Sequence, residues 1–257
     1  MKLVTYNVNG IKARLPRLIE YLTEQQPDVV CLQELKTTDD TFPIADIEAA
    51  GYGAVWHGQK GFNGVAVLAR GSDPIERQRG LAGEPEDEHS RYLEAEVDGV
   101  VIASIYLPNG NPVGTEKFPY KLKWLERLHD HARTLLALEE ITVLGGDYNV
   151  IPTAADVHNP ELWLTDALFL PQTRAKFREL ANLGMTDAIR AVSDDHGLYT
   201  FWDYQAGAWQ KNNGIRIDHL MLSPQAADRL TAGGIDKHVR AWERPSDHVP
   251  VWIDLNL

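Results

Sequence analysis

The sequence predicts an α/β protein built as a sandwich, in a single domain covering residues 1–257. Three observations carry that prediction. Short apolar runs with the spacing of strands recur between longer stretches whose apolar residues fall three and four apart, as on a helix. Several strands follow one another in hairpin-like pairs, which a purely parallel βαβ sheet does not contain. No linker rich in Pro, Gly and Ser, no low-complexity tract and no short repeat divides the chain, although 257 residues could hold two small domains.

In chain order, residues 2–7 read as a strand. Leu15, Leu18, Ile19 and Leu22 then give helical spacing, with Pro16 near the helix start. Residues 28–34 form a second strand. Further strands are predicted at 52–57, 64–70, 92–97, 100–106 and 141–144, punctuated by Gly, Asp and Pro. Leu122, Leu125, Leu128, Ala132, Leu135 and Leu136 mark a long helix between the last two. The second half alternates again, with a helix near 174–183, strands near 199–204 and 216–222, and a final strand at 249–255.

The hydrophobic fraction of 44% is ordinary for a well-packed protein. Polar Asn7 and Asn9 interrupt the opening residues before a signal-peptide core forms, and no apolar run approaches membrane-spanning length, so a cytoplasmic protein is expected. Cys31 is the one cysteine, which leaves no disulfide framework and no cysteine-rich zinc site; within Val29-Val30-Cys31-Leu32 it reads as a small buried apolar residue. A net charge of −12 argues against coating nucleic acid through bulk electrostatics, but leaves room for a local site. Glu84, Glu86, Asp87, Glu88, Glu94, Glu96 and Asp98 crowd one stretch in which Arg91 is the lone base, a run expected to be mostly solvated.

Polar residues recur where strands end or begin: Asn7, Glu34, Asp147, Asn149 and His248. Any one of them is more simply a turn or surface residue. Together they supply what phosphodiester hydrolysis needs: hard oxygen ligands for a cation, a group to orient water, and donors facing the charge that develops on phosphate. The Gly145-Gly146-Asp147-Tyr148-Asn149 segment reads as a turn where the backbone can approach a substrate closely.

Thr5-Tyr6-Asn7-Val8-Asn9-Gly10, Leu32-Gln33-Glu34-Leu35-Lys36, Gly146-Asp147-Tyr148-Asn149 and Ser246-Asp247-His248-Val249-Pro250 occur in the order seen across the endonuclease/exonuclease/phosphatase superfamily. Tyr106-Leu107-Pro108-Asn109-Gly110 and Arg216-Ile217-Asp218-His219 resemble the exonuclease III class of abasic-site endonucleases in particular. Deoxyribonuclease I and sphingomyelinase relatives generally carry histidine where this chain has Tyr106. The resemblance implies a four-layer αββα sandwich of two packed mixed sheets, with the site at one end. It implies Mg²⁺, with Mn²⁺ as a substitute, on Glu34, with Asn7 and Asp247 close to the metal and Asp147, Asn149 and His248 among its neighbours. Asp147 would activate or orient water, Asn149 would hold it and donate to the phosphate, and Tyr106 would contact the phosphate or assist the leaving group. His248, paired with Asp218, would present a positively polarised donor.

The substrate implied is double-stranded DNA carrying abasic sites or recessed or blocked 3′ ends, cut 5′ to the abasic site or trimmed from the 3′ end in base excision repair by a monomer. Lys60 and Asn63 of Lys60-Gly61-Phe62-Asn63-Gly64, Arg91, Asn159 and Arg216 match DNA-contacting positions, with Lys117, Lys121 and Lys123 weaker candidates for which a solvated surface is an equal alternative. Phe201, Ile215 and Ile217 match the small apolar pocket that takes an extruded base-free sugar; core packing competes with that reading, evenly so at Ile217. Some relatives have tryptophan at Ile215, so a less aromatic pocket is expected. Trp202 and Trp209 are alternative DNA contacts. Two rivals remain, a phosphoesterase of the same fold acting on phosphoinositide, sphingolipid or RNA, and a noncatalytic binding module.

Overall fold

The computed structural model describes all residues, 1–257. Two six-stranded mixed sheets pack face to face, each covered on its outer side by helices. The first sheet contains β1 (Lys2–Asn7), β2 (Val29–Gln33), β3 (Tyr52–His57), β4 (Val65–Arg70), β11 (Leu230–Ile235) and β12 (Val251–Leu255), in the order β11-β12-β1-β2-β4-β3. The second contains β5 (Ile75–Arg79), β6 (Tyr92–Val97), β7 (Val100–Tyr106), β8 (Thr142–Asp147), β9 (Thr186–Asp187) and β10 (Asp218–Leu222), in the order β5-β6-β7-β8-β10-β9. Both follow one plan. A central parallel pair, β1 with β2 or β7 with β8, is linked through a helix, α1 (Ile11–Gln25) or α3 (Lys117–Leu136), and flanked on each side by antiparallel strands.

The period of two along the strands makes the layers. Leu3, Val29 and Cys31 point inward to meet Ile102, Val143, Leu220 and Leu222 of the facing sheet. Val4, Tyr6, Val30 and Leu32 point outward onto Ile11, Leu18, Tyr21 and Leu22 of α1. Val101, Ala103, Ile105 and Leu144 point outward from the second sheet onto Trp124, Leu125 and Leu128 of α3 and Phe177 and Leu180 of α4 (Pro171–Asn182). The central strands are thus buried on both faces. Cys31 is fully buried, and burial pushes its thiol pKa far up, so it serves as packing.

Toward one end the space between the sheets turns polar. Thr5 Oγ1 donates to Gln33 Oε1 (3.2 Å), Gln33 Nε2 to Ser104 Oγ (3.1 Å) and Ser104 Oγ to the Leu32 carbonyl (2.8 Å), all buried. This chain ties the sheets together one residue before Glu34 and fixes the spacing of the strand ends beyond it.

Several elements differ from the sequence reading. Helix α1 opens at Ile11 on Gly10, and Pro16 lies inside it, forgoing one backbone bond. Residues 199–204 form no continuous strand: Phe201 makes single bridges with Ile215 and with His248. Gly145 and Gly146 are strand residues of β8, not a turn. A Cβ on Gly145 would come within 2.8 Å of Leu220 Cδ2, and one on Gly146 within 2.0 Å of the Ile105 carbonyl oxygen, so close strand and sheet packing requires glycine there. Edge strands β5 and β11, with β9, α2 (Ile44–Ala49), α5 (Ala188–Val192) and α6 (Pro224–Ala227), carry little apolar periodicity, so the sequence pattern does not reveal them. Within the acidic stretch, Asp87 is bound by Arg127 Nη1 (2.6 Å) and Tyr120 (2.9 Å) of α3, and Glu94 is buried against Tyr92 (2.7 Å) and His131 (3.0 Å).

Candidate active site

The polar strand ends meet at one cavity of about 250 Å³, lined by Glu34, Tyr106, Asp147, Asn149, Asp247 and His248 on its polar side and by Trp163, Leu168, Phe201, Ile215 and Ile217 on its apolar side. Strands β1 and β2 end beside β7, β8 and β10, so residues separated by more than 200 positions face one another. The backbone at the rim is held in an unusual conformation. Asn9, Glu34, Lys36, Asn63 and Asn149 all have positive φ, between 46° and 56°. For non-glycine residues such conformations cost on the order of 1–3 kcal/mol each and persist only where the surroundings enforce them. Around Glu34 the enforcement is visible: Val8 N–H donates to the Gln33 carbonyl, Gly10 N–H to that of Glu34 and Ile11 N–H to that of Leu35.

Asn7 Nδ2 donates to Glu34 Oε1 (2.9 Å) and to Asp147 Oδ2 (3.0 Å), bridging the two sheets and the two carboxylates. Lys36 Nζ lies 2.7 Å from Glu34 Oε2. Burial would raise the Glu34 carboxyl, but Lys36 and the Asn7 amide reverse this and hold it below its ordinary value. Asp247 stands one step further out, bound by Asn9 Nδ2 (2.9 Å) and Ser246 Oγ (3.3 Å). Glu34, Asp147 and His248 form a cluster whose potential ligand atoms lie within 4.8 Å of one another, and it could hold a metal ion. Carboxylates and amides with no thiolate suit a hard, oxygen-seeking cation.

His248 Nδ1 lies 2.9 Å from Asp218 Oδ2, and its Nε2 lies 3.8 Å from Asp147 Oδ2. Thr200 Oγ1 donates to Asp218 (2.6 Å), which orients that carboxylate in turn. Burial would lower the imidazole pKa, but Asp218 and Asp147 overcome it and carry His248 up to about 10. This balance favours the charged form of the ring, a hydrogen-bond donor. The opposite balance acts on Asp147. Burial outweighs the attraction of His248 and pushes its carboxyl up to about 7. A carboxylate near neutrality is suited to exchanging a proton with water.

Asn149 N–H donates to Asp147 Oδ1 (2.9 Å), Asn149 Nδ2 to the Leu107 carbonyl (2.9 Å), and Asn109 Nδ2 to Asn149 Oδ1 (3.0 Å). With its oxygen engaged, Asn149 is arranged as a donor more than as a metal ligand. Burial, helped by Glu34 and Asp147, holds the Tyr106 phenol protonated far above its usual range, which also makes it a donor. The Arg91 guanidinium stacks over the Tyr106 ring at 4.9 Å and donates from Nη1 to the Tyr106 carbonyl (3.2 Å), so Arg91 braces Tyr106 at the cavity's edge.

Other sequence candidates are placed differently. Arg216 does not reach the surface: it is 1% exposed, with Nε 2.7 Å from Asp156 Oδ1 and Nη1 2.8 Å from Asp187 Oδ2. An isolated buried guanidinium is costly, and this one is matched by two carboxylates, so the DNA-contact reading of Arg216 is corrected to a structural one. Lys121 and Trp202 are also fully buried and cannot touch a duplex. Asn63 is buried and donates to Gln59 (2.7 Å), shaping the loop on which Lys60 and Phe62 are exposed. Asn159 is exposed next to the turn Pro160–Trp163; Lys117 is exposed, and so is Lys123, which pairs with Glu84. Ile215 and Ile217 are at once core and wall, packing on Ile151, Val157, Leu168 and Phe169 while edging the cavity. The sequence reading passed over Lys36, Asn9, Asn109, Trp163 and Leu168 as site residues; the first three sat inside the quoted motifs.

A match to the Endonuclease/Exonuclease/phosphatase family runs from residue 4 to residue 248, the span that carries every group just described. The chain belongs to this family. Within it, the chain is 34% identical to exodeoxyribonuclease III of Haemophilus influenzae, with 99% of each chain covered. It is similar to the structure of an AP endonuclease from Archaeoglobus fulgidus (35% identity, TM-score 0.95) and to that of a 3′ phosphatase, NExo, from Neisseria bound to a product DNA hairpin (37% identity, TM-score 0.97), with all of both chains covered in each case. The four layers found here are those expected of the family fold.

Proposed function

We propose that this protein is a DNA-repair phosphodiesterase of the exonuclease III class, hydrolysing DNA at abasic sites and at 3′ ends with Mg²⁺ as its working ion. The observation that carries the proposal is the meeting, in one cavity, of the Asn7-bridged carboxylates Glu34 and Asp147 with an imidazole held by Asp218. Relatives named exodeoxyribonuclease III, AP endonuclease and 3′ phosphatase, the last bound to a product DNA hairpin, support this reading. A cytoplasmic monomer acting on double-stranded DNA is part of the proposal; no helix is long and apolar enough to cross a membrane.

Glu34 would hold the ion with Asn7 and Asp147 beside it and Asp247 further out. When bound, the ion would draw charge from a phosphate oxygen and leaving group. Asp147 accepts a proton from the attacking water, which its raised carboxyl is suited to do near neutral pH. His248 and the free N–H of Asn149 donate to phosphate oxygens as negative charge builds on them, and Tyr106 donates toward the leaving oxygen. Asp218 keeps His248 charged and aimed. The apolar wall of Trp163, Leu168, Phe201, Ile215 and Ile217 would receive a sugar without a base, where an intact base would meet crowded aliphatic carbons.

The test compares two duplexes, one with an internal abasic site and one with a 3′-blocked end, against phosphoinositide and sphingomyelin, with and without Mg²⁺. Metal-dependent cleavage of DNA alone is expected. The Asp147→Asn variant should bind the duplex yet turn over very slowly in single-turnover assays. Near-normal turnover with lost binding would overturn the role given to Asp147.

A further inference from the structure

Lys121, on the second turn of α3, is a fully buried lysine beneath the catalytic cavity whose partners are carbonyls: Nζ donates to the Asn149 carbonyl (2.6 Å) and to the Asn109 carbonyl (2.9 Å). Burying an amine is costly, and an aliphatic side chain could fill the same space, so what this lysine holds is informative. It joins the segment leaving β7 to the segment leaving β8. The fold makes room for it: Gly110, at φ 91°, would place a Cβ 2.7 Å from Lys121 Cδ and 3.1 Å from Ala167 Cβ. Only a residue without a side chain lets the lysine stem pass under the loop.

The clamp has a chemical consequence at Asn149. With the two segments held together, Asn109 Nδ2 reaches Asn149 Oδ1 (3.0 Å), while one Asn149 amide N–H is taken by the Leu107 carbonyl (2.9 Å). The carboxamide is thereby fixed with its oxygen turned to Asn109, and its second N–H is the group left to meet a phosphate. Asn149 also sits at φ 48°, a strained conformation that the bond from Lys121 to its carbonyl helps to enforce.

We infer that Lys121 is a positioning residue for the phosphodiesterase reaction, holding Asn109 and Asn149 so that the Asn149 amide faces the scissile phosphate as a donor. The inference rests on the assignment of Asn149 as a phosphate donor. It does not depend on the charge of the lysine, because an ammonium has three N–H groups and a neutral amine two, and the two carbonyls need two.

The test is a double-variant cycle of Lys121→Met and Asn149→Ala, read as single-turnover cleavage of a metal-supplied abasic duplex and as duplex affinity. Lys121→Met should slow cleavage by roughly 10- to 100-fold, the scale of loss when a catalytic group is misplaced by about 1 Å, with affinity changed less than about threefold. In the Asn149→Ala background the same substitution should cost less than about a further twofold, because its effect passes through Asn149. A merely structural lysine would give multiplicative losses, and those overturn the inference while leaving the role of Asn149 intact. A loss confined to affinity overturns it too. If Asn149→Ala cleaves at the wild-type rate, the donor assignment falls and the inference with it. Should Lys121→Met fail to fold, Lys121→Gln, whose amide ends one bond short of the ammonium and so is too short to hold both carbonyls, is run through the same cycle and judged by the same outcomes.

Discussion

Replacing Arg216 by methionine separates the two roles that this residue could have. Methionine keeps most of the stem volume and removes the guanidinium, leaving Asp156 and Asp187 to face its absence. Breaking a buried ion pair by removing one partner typically costs about 3–5 kcal/mol. Here Asp156 retains Arg190 Nη2 at 2.6 Å and the Thr153 N–H and hydroxyl at 3.0 and 2.8 Å, whereas Asp187 loses its only guanidinium and keeps the Arg190 backbone N–H at 3.4 Å. The lower end of the range applies, about 3 kcal/mol, which in a chain of this size lowers the melting temperature by roughly 6–12 °C. Burial would raise both carboxyls, but Arg216 leads in overcoming it and holds each below its ordinary value. A carboxyl depressed in the folded state stabilises at pH values above its unfolded pKa, about 3.9, and loses that contribution as pH falls. The stability gap between variant and wild type should therefore be full at neutral pH and narrow below about pH 4. Thermal and urea unfolding followed by circular dichroism, beside duplex affinity by fluorescence anisotropy, measure both roles. An unchanged unfolding profile together with weakened DNA binding would refute the structural account and restore Arg216 to the DNA surface.

Glu34→Gln should raise the divalent-metal concentration needed for half-maximal cleavage, because Mg²⁺ sites of this kind use only one or two protein carboxylates; undiminished cleavage by this variant after thorough chelation would exclude the assignment. His248→Ala should lose about 10²- to 10³-fold in kcat with little change in affinity, the usual effect of removing one preorganised donor. Asp218→Ala should lose less, and the double variant should be little worse than His248→Ala alone, since members of a catalytic unit do not add. Multiplicative losses in folded, metal-replete variants would separate the pair. Asp218 is also the leading carboxylate keeping His248 protonated, so Asp218→Asn should move the alkaline limb of kcat/KM to lower pH. An unmoved limb would assign that ionisation to another group.

The sequence by itself determined the layers and named most of the polar residues that the structure brings together at the strand ends. Apolar runs and periodicity sufficed for β1, β3, β6 and β7 at their observed limits and for α3 and α4 to within a few residues, because these elements bury apolar faces and carry the period that burial demands. Motif order named Asn7, Glu34, Asp147, Asn149, Asp218 and His248, which short strand-end segments deliver to one rim. Edge strands β5 and β11 went unread, since Ile75–Arg79 is largely exposed and Leu230–Ile235 carries a Gly-Gly pair, so neither has a face that must be apolar. The tertiary structure alone decided what each polar side chain meets. Arg216 and Lys121 look like surface cations in a linear reading, yet one closes on Asp156 and Asp187, 60 and 29 residues away, and the other on carbonyls at 109 and 149. Whether a charge is solvated, paired or put to holding a loop depends on which distant groups the packed sheets bring beside it, and that is set by the closure of the two sheets on one another.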